Sequence, residues 1–143
     1  MAGELVGVVN AKMTSEEIEG LGFAIPVDFA YQVASELIEY RYVRGRVTTG
    51  LTLVNATNSY TAIQYFGTSQ KGVYVYESAF CEDLVYGDRI LSANGETITS
   101  SDDLNAIVSG MAVGDTVTLT VVRNGKQISV ELVLAEYVPD YVK

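Results

Sequence analysis

Gly87-Asp88-Arg89-Ile90-Leu91-Ser92-Ala93-Asn94-Gly95 packs a turn, a short strand and a tight reversal into one stretch. Gly87-Asp88 opens the turn, Ile90 and Leu91 begin a buried strand, and Asn94-Gly95 tolerates the positive φ of a tight reversal. Further on, the β-rich runs Val117–Val122 and Ile128–Val133 flank Arg123-Asn124-Gly125-Lys126. Two such runs around an Asn-Gly are a strong short-range hairpin signal. Between the two Asn-Gly turns, residues 101–110 read as a helix. The order is strand, turn, helix, hairpin.

Length and composition narrow the classes. At 143 residues the chain holds one domain with a proper core, or one domain and a further piece. A hydrophobic content of 48% argues for a folded protein. No window approaches the roughly 18 apolar residues of a membrane span, and no basic segment leads into an apolar one as in a signal peptide. A formal charge of −9 disfavours nucleic acid and anionic membrane surfaces as partners, because Lys and Arg drive phosphate binding. The single cysteine, Cys81, leaves no internal disulfide, and no Cys/His cluster is present for zinc. Neither a metal nor another cofactor is expected. The chain has no histidine, so a Ser-His-Asp triad would lack the imidazole that takes the serine proton.

Along the chain, Glu4–Asn10 reads as a buried strand bounded by Gly3, Thr14–Gly20 as an acidic loop, and Leu21–Pro26 as a second strand. Asp28 is expected to cap a helix carrying Phe29, Val33 and Leu37 on one stripe, with Ala30, Ala34 and Ile38 beside it. That helix should fade at Tyr40–Gly45, where a boundary falls. Leu51–Val54 is a strand, Asn58–Phe66 a short helix stopped by Gly67, and Gly72–Glu77 a strand of branched and aromatic residues. Glu82–Val85 is a turn. Residues 45–134 thus hold about five strands and two helices.

These elements resemble the second half of a bacterial PDZ domain. Gly3–Asn10 followed by Leu21-Gly22-Phe23-Ala24-Ile25-Pro26-Val27-Asp28 also resembles the end of an HtrA-type (DegP-like) trypsin-fold serine protease domain. In that family a similar strand leads through a helix into a PDZ domain. The likeness runs over about residues 3–134. It implies an α+β fold: a PDZ-like, partly open β-barrel or sandwich, preceded by two strands and a helix left from a trypsin-like barrel. The implied division is 1–43 protease remnant, 44–136 PDZ domain and 137–143 tail. The family's catalytic serine lies in a Gly-Asn-Ser-Gly-Gly loop that this sequence does not contain, so no catalytic residue carries over.

What the resemblance does carry over is a peptide groove. Arg46-Val47-Thr48-Thr49-Gly50-Leu51-Thr52-Leu53 aligns with the carboxylate-binding loop and the strand that receives the peptide. The N–H groups of Thr49, Gly50 and Leu51 would face a terminal carboxylate, and Arg46 could add a water-bridged charge. Gly50 suits a close backbone approach. Thr49 departs from the family, which usually has a large apolar residue there. On the helix, Ser101, Asn105 and Val108 are assigned to the groove, and Leu104, Ile107 and Met111 to the core.

The expected function is a peptide-binding module that adds a strand and captures a C-terminal carboxylate, recruiting or sensing peptides or unfolded-protein ends with apolar termini. The parent would be a trypsin-like endopeptidase, extracytoplasmic or membrane-anchored. Apolar residues in 1–40 would be covered by self-association or by folding back. The competing readings are a structural or oligomerising piece, or pseudoprotease, with a self-filled groove, and a PDZ domain from another protease class.

Overall fold

The computed structural model describes residues 4–15 and 18–142, in two compact units. One comprises the residues before Gly45 and those after Tyr137; the other runs from Gly45 to Tyr137. Residues 1–3, Glu16, Glu17 and Lys143 lie outside the described residues.

In the first unit, β1 (Gly7–Ser15) and β2 (Ile18–Pro26) form a two-stranded antiparallel sheet, with Gly7 opposite Pro26 and Val9 opposite Ala24. Both strands are longer than expected: pairing continues to Ser15 and Ile18, into the stretch read as a loop. Helix α1 (Val27–Tyr40) follows at once. Its N-cap is Pro26, and no side chain caps it. Asp28 is therefore not the cap; it lies in the first turn, where a carboxylate favours the helix dipole. The Val27 N–H instead donates to the Val6 carbonyl at 3.2 Å. Arg41, at φ 68°, ends the helix in the left-handed region, and the Arg44 guanidinium lies 3.7 Å from the Tyr40 ring centre. None of the α1 side chains is buried, and Val6, Val9, Phe29 and Ile38 are exposed.

The second unit is built on an antiparallel sheet in the order β4 (Leu51–Ala56), β5 (Gly72–Ser78), β6 (Arg89–Ala93), β8 (Thr116–Arg123), β9 (Lys126–Val133), with β7 (Glu96–Thr97) beside β6. A separate ribbon pairs β3 (Val47–Thr48) with β10 (Ala135–Glu136), and the sheets are open. Helices α2 (Ser59–Phe66) and α3 (Ser101–Ser109) complete it. Asp140–Val142, which belong to the first unit, form one 3-10 turn.

Both Asn-Gly pairs do what their chemistry allows. Asn94 and Gly95 have φ of 50° and 85°, Asn124 and Gly125 of 50° and 77°. Positive φ at both positions matches the twist of the flanking strands, so each pair closes a two-residue hairpin. Strand β8 then alternates, with Val117, Leu119 and Val121 fully buried between exposed or half-buried neighbours. They pack with Val73, Val75, Ile90, Leu104, Leu132 and Leu134 in one core.

Asp88 is the one charged residue that is buried among those described. Arg123 answers it in a two-pronged pair, Nε to Oδ1 at 2.8 Å and Nη2 to Oδ2 at 2.6 Å. The Val85 N–H also donates to Oδ2, at 3.0 Å. This pair fixes the turn at Gly87-Asp88 onto the end of the hairpin. On α2, Asn58 caps the helix by accepting from the Thr61 N–H at 2.8 Å, and Gly67 at φ 66° ends it. Phe66 stacks on Tyr74 with ring centres 4.4 Å apart and tilts against Tyr86.

Candidate peptide-binding groove

Strand β4 is an edge of the sheet: β5 pairs with one side of it and no strand among the described residues pairs with the other. An unpaired edge presents a row of N–H and C=O groups to any extended chain that approaches. Helix α3 packs against both β3 and β4 and forms the opposite wall. Its start is fixed by a capping box. The Ser100 hydroxyl accepts from the Asp103 N–H at 3.3 Å, and the Asp103 carboxylate accepts from the Ser100 N–H at 2.9 Å. The hydroxyl and N–H of Thr99 donate to the same carboxylate at 2.7 Å each. With these donors, led by the Thr99 hydroxyl, Asp103 is held down at about 2.

A cavity of about 590 Å³ opens at the N-terminal end of β4. Of the residues assigned from sequence, Arg46, Thr48, Thr49, Leu51, Asn105 and Val108 line it, joined by Ser109, Met111 and Tyr137. Gly50, Thr52, Leu53 and Ser101 do not line it. Thr52 and Leu53 follow along β4, and Ser101 stands at the first turn of α3. Val108 and Leu104, one helical turn apart, are both buried in the core, whereas Ile107 and Met111 are only partly buried against it. The division between a groove face and a core face is therefore less clean than the spacing suggests. Val108 serves both, because a residue at the base of the cavity also touches the sheet beneath.

The far end of β4 carries a contact that the sequence reading missed. Asn55 accepts from the Ser101 N–H at 2.9 Å and donates through Nδ2 to the Ser101 hydroxyl at 2.8 Å. This two-way amide bridge ties the edge strand to the N-terminus of the helix. An asparagine within an otherwise β-forming run was the available signal, since Asn is depleted in strands.

Gly50 needs its glycine for a reason of packing that the sequence did not show. Its φ is 64°, and an added Cβ would fall 2.2 Å from Phe80 Cδ2. The space a side chain would need is filled by the Phe80 ring, while the Gly50 carbonyl accepts from the Ala79 N–H at 2.9 Å. The loop is braced by Ala79 and Phe80. Its other flank is held by the Tyr137 N–H, which donates to the Arg46 carbonyl at 2.7 Å, and by the Gly45 N–H, which donates to Glu136 Oε1 at 2.7 Å.

The chemical capacity of the site is that of a hydrogen-bonding edge beside a partly apolar cavity. Among the described residues no group of three or more metal-ligating side chains comes together, and no helix is long and apolar enough to cross a membrane.

Comparison with known proteins agrees with this fold. The sequence profile of the PDZ domain family matches residues 49–134. The chain is 34% identical over 142 residues to the periplasmic serine endoprotease DegP of Escherichia coli (strain K12), covering 94% of this chain and 29% of that protein. It is 31% identical over 144 residues to the serine protease Do-like HtrA of Bacillus subtilis (strain 168), covering 92% and 32%. The chain thus spans less than a third of the length of these relatives. In structure it is similar to the HtrA-type protease AlgW with decapeptide, at a TM-score of 0.61 and 24% identity over 96% of this chain and 44% of that one. A serine endoprotease from Yersinia pestis superposes at 0.53 with 27% identity, over 95% and 44%. The match of the PDZ profile over more than half of the sequence, on a fold shared with HtrA proteases, fixes the assignment: the chain belongs to the PDZ domain family.

Proposed function

We propose that this chain is a peptide-binding module of an HtrA-like serine endopeptidase, taking extended segments by strand addition along β4. The observation that carries the reading is the unpaired β4 edge facing α3, with the cavity at the end where the Thr48–Leu51 loop turns. A ligand whose C-terminus lies at that loop must run antiparallel to β4. Its last side chain enters the cavity beside Leu51 and Val108, which favours an apolar end residue. Arg46 at the rim supplies positive charge near a terminal carboxylate. Main-chain bonds supply most of the affinity in this mode and the pocket supplies choice. Affinities in the micromolar range, about −6 to −8 kcal/mol, are expected for so small a footprint.

The chain itself hydrolyses nothing in this reading, because it has no histidine to activate a serine. The relatives are named as periplasmic or Do-like proteases, which supports an extracytoplasmic parent that recruits unfolded-protein ends. Exposed Val6, Val9, Phe29 and Ile38 support self-association through residues 1–40. Titration with peptides ending in Val, Leu or Phe tests the groove. Amide shifts along Leu51–Asn55 and Ser101–Val108 are expected. Shifts confined to other surfaces would overturn the reading and favour a self-filled groove.

A further inference from the structure

Two of the three N–H groups expected to receive a carboxylate, those of Gly50 and Leu51, already have partners. The Gly50 N–H donates to Thr48 Oγ1 at 3.1 Å, and the Leu51 N–H donates to Thr49 Oγ1 at 3.3 Å. Each hydroxyl reaches two residues along the chain, the local geometry by which Ser and Thr side chains satisfy turn donors. Both bonds are partly buried. The backbone around them is braced, since the Gly50 carbonyl is held by Ala79, the Phe80 ring fills the space behind Gly50, and Thr48 is paired with Ala135. Freeing the donors therefore falls to rotation of the two threonine side chains, not to movement of the loop.

We propose that Thr48 and Thr49 are specificity-determining residues of the groove. Their hydroxyl oxygens occupy the donors of Gly50 and Leu51, and a ligand's terminal carboxylate has to displace them. The inference rests on the peptide-groove reading and gives it a ligand class. A loop with apolar side chains at these positions would leave the donors open to a carboxylate, which accepts more strongly than water or an amide carbonyl, and would select for free chain ends. Here the Gly50 and Leu51 donors are satisfied without a ligand. The domain therefore accepts extended segments whose ends are blocked or internal nearly as well as free C-termini. Strand pairing along β4 and the side-chain cavity remain available to all of these ligands.

The test compares wild type with Thr48→Val, Thr49→Val and the double variant, using one peptide ending in Val as free acid and as amide. Valine keeps the branched shape and removes the hydroxyl. The readout is the ratio of amide Kd to acid Kd. In wild type the ratio is expected to stay within about threefold. It should rise roughly three- to tenfold for each hydroxyl removed, the range that one hydrogen bond contributes. Serine at both positions should return the ratio to the wild-type value. In ligand-free protein the Gly50 and Leu51 amides should exchange faster in the Val variants. A ratio that stays constant or falls would overturn the inference, since the hydroxyls would then be spectators or would donate to the carboxylate. Unchanged amide exchange would overturn it too. Binding to β4 with an unaltered ratio removes this inference alone, whereas no binding of either peptide to any of the proteins removes the groove reading and this inference with it.

Discussion

Arg123→Ala should be among the most damaging truncations outside the apolar core. Asp88 is fully buried, and both of its oxygens are held by Arg123, at 2.8 and 2.6 Å. Arg123 Nη2 also donates to the Asp83 carbonyl at 2.6 Å, so the same side chain supports the turn before Gly87. Without the guanidinium, the carboxylate keeps the Val85 N–H as a donor but loses its counter-charge in an apolar surround. Breaking a buried pair by removing one partner costs about 3–5 kcal/mol. The Arg123 side chain is 32% exposed, so water can enter from that side, and the lower end, about 3 kcal/mol, is expected. In a unit of this size each kcal/mol lowers Tm by about 4–8 °C, giving a loss of about 12–24 °C. Urea unfolding followed by far-UV circular dichroism measures it, the chain having no tryptophan. The midpoint should fall with little change in slope. Replacing both residues, Asp88→Leu with Arg123→Met, should recover part of the loss, because the buried charge is then gone. A loss below about 1 kcal/mol, the range of an exposed pair, would refute the assignment of Asp88 as a buried charge dependent on Arg123.

Three further expectations come from other contacts. Asp103 is held at about 2 when folded, below the roughly 3.9 of an unfolded aspartate, so its contribution to the start of α3 is present above about pH 4 and is lost as pH falls toward 2; Asp103→Asn should flatten that acid limb in a pH titration of stability, and an unchanged limb would contradict the capping box. Gly50→Ala should destabilise by about 1 kcal/mol or more through its positive φ and its collision with Phe80, and Phe80→Ala in the same chain should relieve the steric part, so equal losses in the single and double variants would contradict the bracing role. Removal of residues 1–42 should leave a folded unit of smaller oligomeric size by light scattering, and a full-length chain already monomeric would contradict self-association through that region.

Much of the fold was legible because it rests on local chemistry. Asn94-Gly95 and Asn124-Gly125 specify hairpins wherever they fall between branched residues, and Asn58 and Gly67 mark both ends of α2. The two-residue strands β3, β7 and β10 were not legible, because a ladder that short leaves no alternation to read. Asp28 was misread as a cap because Pro26 holds the N-cap position and the Val27 N–H finds its partner in the Val6 carbonyl, twenty-one residues earlier. In the groove, the cavity residues near Thr49 followed from the motif, but the bond partners of the loop did not. Thr49 looked like a mere departure from a pattern. The Thr48 and Thr49 hydroxyls bond two of the donors that the pattern reserves for a ligand, the N–H groups of Gly50 and Leu51. Asn55 and Phe80 escaped because their roles are made by residues 46 positions ahead and 30 behind, Ser101 and Gly50, a separation at which no sequence periodicity reports.

The most direct test of the central claim is a set of intermolecular nuclear Overhauser contacts in a complex with an extended peptide ending in Val. Antiparallel strand addition predicts backbone contacts between the peptide and Leu51, Leu53 and Asn55, with the terminal valine methyls near Leu51 and Val108. Contacts that instead place the peptide against the exposed aromatic side chains of Tyr76 and Tyr86, with none along β4, would contradict the account.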